Sequence, residues 1–143
     1  MKHANTAAIT AAVALVAGTA GPVLAKPATL VATLGGAAET AGGDTDGVGG
    51  FKADVDDETG DFCFTLWADN IAKPTMAHVH EGTAGNDGKP VATIEVTGKD
   101  SDDCIAMEPE LLKKIIAAPG AYYVNIHTAD FPKGAVRGQL EVK

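Results

Sequence analysis

At 143 residues, 45% of them hydrophobic, the chain has room for one small domain with a single core. Nineteen acidic against eleven basic residues give a net charge of −8, which excludes nucleic acid as a natural partner and suits a soluble surface that attracts cations weakly.

Residues 1–25 read as a signal peptide. Lys2 and His3 form a short basic start, AAITAAVALVAGTAG is an acid-free run of small and apolar residues, and Val23-Leu24-Ala25 puts small residues at the cleavage-determining positions. The same run read as a membrane anchor falls short of the roughly 18 to 20 apolar residues that span a bilayer. It is also broken by Gly18, Gly21 and Pro22, so no stable membrane insertion is expected after cleavage. The expected mature domain is residues 26–143, secreted or periplasmic.

Leu30, Ala32 and Leu34 share one face of a first strand. Gly35 to Gly50 is rich in Gly, Thr and Asp and predicts a loop; Asp44 and Asp46 lack the spaced ligands and closing glutamate of a calcium loop. Phe51, Ala53 and Val55, then the acidic turn DDETG, then Phe62, Phe64 and Leu66 predict strand, turn and strand. Trp67 is either a binding platform or a residue packed under a loop. After Pro74, Ala77 and Val79 face one way while Met76, His78 and His80 face the other. The turn GTAGNDGKP leads to a strand carrying Ala92, Ile94 and Val96. EPELLKKIIAAPG predicts the one helix, with Pro109 in its first turn, Pro119-Gly120 ending it, and Leu111/Ile115 and Leu112/Ile116 forming its apolar stripe.

The last hairpin sets Tyr122, Val124 and Ile126 against Tyr123, Asn125 and His127, and then Val136, Leu140 and Val142 against Arg137, Gln139 and Glu141. Keeping both apolar sets on one face requires an even register; pairing His127 with Arg137 also sets Asn125 against Gln139 and Val124 against Leu140. In total the pattern predicts an all-β fold, an antiparallel β-sandwich or flattened barrel of about seven strands with one short helix. Export makes a disulfide the expected state of Cys63 and Cys104, the only cysteines, and the absence of CxxC spacing argues against two thiolate metal ligands.

YYVNIHTADFPKGAVRGQL together with MAHVHEGTAGNDGKPVATI resembles the paired signature of the CHRD (chordin) domain family: an AHxH strand, a helix ending near a tyrosine, a YVNxHT strand and a GxxRGQ strand in that order. The resemblance covers nearly all of residues 26–143 and implies an extracellular all-β module without an agreed biochemical activity.

Residues 26–143 contain three histidines, His78, His80 and His127, each on the strand face opposite its apolar neighbours. Residues two apart on a strand lie about 7 Å apart and point the same way, so two imidazoles with a third from an adjacent strand make a three-nitrogen metal set. Such a set suits copper first, with zinc as the alternative. Arg137, Asn125 and Tyr123 are the expected supporting residues around it, Arg137 opposing protonation of His127. The alternative is a hydrogen-bonded ladder in a structural or protein-binding module, with an extracytoplasmic protein as partner and no metal. AHVHEGTAGN is also similar to the copper-ligand strand of copper/zinc superoxide dismutases, a third, redox reading that lacks the bridging histidine such an enzyme needs. No P-loop, GxSxG, HExxH or paired nucleophile and base is present, so no enzyme is expected.

Overall fold

A computed structural model describes residues 27–143; the signal-peptide reading of residues 1–25 lies outside them. Nine strands form one antiparallel sheet: β1 (Ala28–Gly35), β2 (Val48–Asp56), β3 (Asp61–Asp69), β4 (Pro74–Glu81), β5 (Pro90–Ile94), β6 (Asp103–Ala106), β7 (Tyr122–Thr128), β8 (Val136–Gln139) and β9 (Glu141–Val142). Among the described residues the single α-helix, α1, spans Pro109–Ala117. The strand order is β5-β4-β7-β8-β1-β2-β3-β6, with β9 continuing beside β1 beyond β8. The sheet curls until its ends meet: past β5, the amides of Thr97 and Gly98 both donate to the carbonyl of Leu66 on β3. The result is the all-β flattened barrel that the period-2 alternation predicts. Among the described residues no helix is long and apolar enough to cross a membrane.

The inward faces interdigitate as their alternation dictates. Leu30 and Leu34 of β1, Phe51 of β2, Phe62, Phe64 and Leu66 of β3, Ala77 and Val79 of β4, and Val124 and Ile126 of β7 are buried together. Phe51, Phe62 and Phe64 pack with ring centroids 5.9 to 6.2 Å apart. From α1, Leu112 and Ile115 enter the core fully buried. Leu111 and Ile116 pack half-buried at its margin.

Three local expectations are corrected. The loop predicted to Gly50 ends at Val48, because Gly49 and Gly50 pair with Ala68 and Trp67 in the β2–β3 ladder. Glycine is needed there: a Cβ on Gly50 would stand 2.6 Å from the Trp67 indole nitrogen. Trp67 thus lies over a glycine of its neighbouring strand, with the Lys99 ammonium 4.2 Å from its ring centre. Second, β6, short and largely exposed, carries no alternation that marks it as a strand, and the strand predicted through Val136, Leu140 and Val142 is divided into β8 and β9. Third, the β7–β8 register is Asn125↔Arg137, Tyr123↔Gln139, Val124↔Gly138 and Ile126↔Val136, two residues from the predicted pairing of His127 with Arg137, Asn125 with Gln139 and Val124 with Leu140. A two-residue slip keeps every side chain on its face, so alternation does not distinguish the two. In the observed register Val124 faces Gly138, where the backbone of Thr33 on β1 comes too close for any side chain.

Cys63 and Cys104 stand directly opposite each other on β3 and β6, their Cα atoms 4.0 Å apart, and are disulfide-bonded. The bond staples a four-residue edge strand that contributes little to the core. Reduction, or the double replacement Cys63→Ser/Cys104→Ser, is expected to lower unfolding stability by about 4 kcal/mol through the restored freedom of a 41-residue separation. Urea unfolding with and without reductant measures this, and unchanged midpoints would refute it.

Candidate metal centre

β4 and β7 are neighbours, and their pairing places His78 opposite Asn125, His80 opposite Tyr123 and Met76 opposite His127. The outward face they share is roofed. The 82–89 and 129–135 loops and the segment 36–47 fold across it, tied together by Thr40 donating to Asp87 and by the Asp44 amide donating to the Ala135 carbonyl. All seven residues of β7 are therefore buried, on both faces of the sheet.

Under this roof the three histidines come together. One ring nitrogen from each lies within 4.8 Å of the other two. His78 Nδ1 donates to His127 Nε2 at 3.1 Å, and their rings meet edge to face at 69°. The His78 and His80 rings are 5.3 Å apart at 86°. Two nitrogens about 2.0 Å from one ion lie about 3 Å apart, close to the His78–His127 separation, and an ion there would displace the proton that His78 Nδ1 donates. The full set is wider than the 3 to 4 Å that shared coordination predicts, and a side-chain shift of roughly 1 Å closes it.

Two backbone carbonyls orient the nitrogens. His80 Nδ1 donates to the Gly88 carbonyl at 2.9 Å, and His127 Nδ1 donates to the Pro132 carbonyl at 3.1 Å. Each bond fixes the neutral tautomer whose Nε2 carries a lone pair. His80 Nε2 is buried with no hydrogen-bond partner in the protein. Burial holds the His78 imidazole below its ordinary pKa, helped by His127 and His80. Burial likewise lowers that of His127, partly offset by the Pro132 carbonyl and reinforced by His80. Both shifts favour the neutral, ligating form. The sequence had credited that role to Arg137; in the observed register Arg137 faces Asn125 instead.

Arg137 is 1% exposed and works as a clamp. Its Nη2 donates to the carbonyls of Thr83 and Asn86 at 3.0 and 2.9 Å, holding the loop that delivers the Gly88 carbonyl to His80. Its guanidinium lies 3.4 Å over the Tyr123 ring. Tyr123 in turn stacks parallel to His80, centroids 4.7 Å apart, and accepts the Gly88 amide on its hydroxyl. Gln139 donates to the carbonyls of Gly82 and Gly120. Arg137 and Tyr123 thus back His80, and Asn125 lies between His78 and Arg137 in the sheet.

The CHRD domain family model matches residues 30–140. The chain belongs to the CHRD domain family. CHRD domains are binding modules, and the Cys63–Cys104 disulfide accords with an extracellular one. No curated protein and no solved structure matches the chain significantly.

One member of the buried polar cluster in this CHRD domain carries no sequence signal. Glu39, in the loop after β1, is 8% exposed, and its carboxyl fills the space beside Gly134, which takes φ +138°. Burial raises its pKa to about 7 from an ordinary 4.5, opposed by Arg137 and the Asn125 amide. Below pH 4.5 the carboxyl is protonated in both folded and unfolded chains. Between 4.5 and about 7 only the unfolded chain releases the proton, so Glu39 makes the fold less stable as pH rises through that window. Glu39→Gln should remove this slope and be more stable than wild type at pH 8, read as the difference between the two proteins' urea midpoints across pH. A constant difference from pH 4.5 to 8 would contradict the shift.

Proposed function

We propose that this CHRD domain is an exported metal-binding protein that holds one transition-metal ion, copper first and zinc as the alternative, through His78, His80 and His127. The observation that carries the proposal is the pair of Nδ1–carbonyl bonds, which turn the Nε2 lone pairs of His80 and His127 away from the backbone and leave that of His80 buried without a protein partner. An imidazole whose far nitrogen is pinned by a carbonyl is the usual arrangement of a metal ligand, since the carbonyl fixes ring angle and tautomer and raises basicity. Three imidazoles with no carboxylate or thiolate suit copper or zinc. The acidic chain draws cations toward the surface.

Titration with Cu(II) and with Zn(II) should reach saturation at one ion per chain. Binding should weaken as pH falls below about 6.5, because proton and metal compete for the same lone pairs. Weak, multi-site uptake without saturation would contradict it.

A structural or protein-binding module without metal is the second reading, favoured by Arg137 and Gln139, whose hydrogen bonds all go to main-chain carbonyls of this chain. Dismutase-like redox chemistry has the least support, since residues 26–143 offer no fourth histidine to bridge to a second metal.

A further inference from the structure

We infer that Met76 is a fourth ligand of the same ion, a thioether that makes the site selective for Cu(I) over Zn(II); the inference rests on the three-histidine proposal. Met76 is directly opposite His127 in the β4–β7 ladder and two residues before His78 on the same outward face. Opposed residues of an antiparallel pair have Cβ atoms about 5 Å apart, and next-but-one neighbours along a strand are about 7 Å apart. Met76 therefore stands beside two of the three histidines.

Met76 is 51% exposed. Among the described residues the other large exposed hydrophobics are Val48, which begins β2, and Val142, which ends β9. Met76 lines an open groove of about 450 Å³ between the facing ends of β4 and β5. A methionine has three rotatable bonds, enough to swing the sulfur from that groove over the histidines. The triad is open on this side. His80 is covered by Tyr123 and the Gly88 turn, and His127 by the 129–135 loop, while His78, next to Met76 on the strand, is the most exposed of the three. A neutral set of imidazoles and one thioether matches a soft monovalent ion, and zinc, only borderline-soft, gains less from the thioether.

The test is X-ray absorption of the protein loaded with Cu(I) under ascorbate, beside competition titrations against a chromophoric Cu(I) chelator. Wild type should show a sulfur at about 2.3 Å in addition to nitrogen neighbours. Met76→Leu, which keeps the volume of an exposed side chain, should lose that sulfur and bind Cu(I) about tenfold more weakly, with a much smaller loss of Zn(II) affinity. A nitrogen-only shell in wild type, or equal Cu(I) affinity in the two proteins, overturns the Met76 assignment and leaves the three histidines standing. Wild type that takes up no copper overturns both.

Discussion

His127→Ala is expected to lower Cu(II) and Zn(II) affinity by more than about a hundredfold, since loss of a ligand exceeds the 10- to 100-fold that loss of an outer-shell partner costs. The remaining nitrogens, from His78 and His80, are two residues apart on one strand and have no partner on β7 to close the set. His127 is buried, and its removal also frees the Pro132 carbonyl, a loss of about 1 to 3 kcal/mol that thermal melts of the metal-free protein measure separately. Isothermal titration of both proteins at pH 7.5 decides the matter. Equal, feeble binding by wild type and His127→Ala would make the histidines structural donors and put the protein-binding module first.

Arg137→Ala is expected to act first on the fold. Its two hydrogen bonds to the Thr83 and Asn86 carbonyls come from a charged group and are almost wholly shielded from water. At about 1.5 to 3 kcal/mol for a charged hydrogen bond, their loss together with the stack on Tyr123 should cost about 3 kcal/mol or more. Arg137→Lys should recover little, because an ammonium neither bridges two carbonyls in the guanidinium plane nor stacks on the ring. Urea unfolding of the three proteins reads this directly; wild-type stability in Arg137→Lys would show that charge alone suffices. Metal affinity should fall less in Arg137→Ala than in His127→Ala when measured where both are folded, because Arg137 reaches the site only through Tyr123 and the 82–89 loop.

How much of this was legible in the sequence depended on what alternation encodes. Period 2 fixes faces, so Ala77 and Val79 inward with His78 and His80 outward, and Val124 and Ile126 against Asn125 and His127, could be read directly. Register is not encoded in that way: Arg137 opposite His127 and Arg137 opposite Asn125 leave every side chain on the same face. The roof was illegible for a similar reason. Gly88 and Pro132 hold the histidines through backbone carbonyls, which no side-chain pattern marks, and Glu39 is buried by loops whose Gly-rich composition reads as solvated. A strand face that looked exposed is thus buried at His80, Asn125 and His127, with His80 and His127 held in defined tautomers.

The most direct test of metal binding is elemental analysis of the protein purified without an affinity tag, wild type beside His127→Ala. A three-histidine site predicts close to one equivalent of copper, or of zinc, per wild-type chain and next to none in the variant. Metal far below one equivalent in both, after incubation with excess copper and removal of the unbound ion, would contradict it.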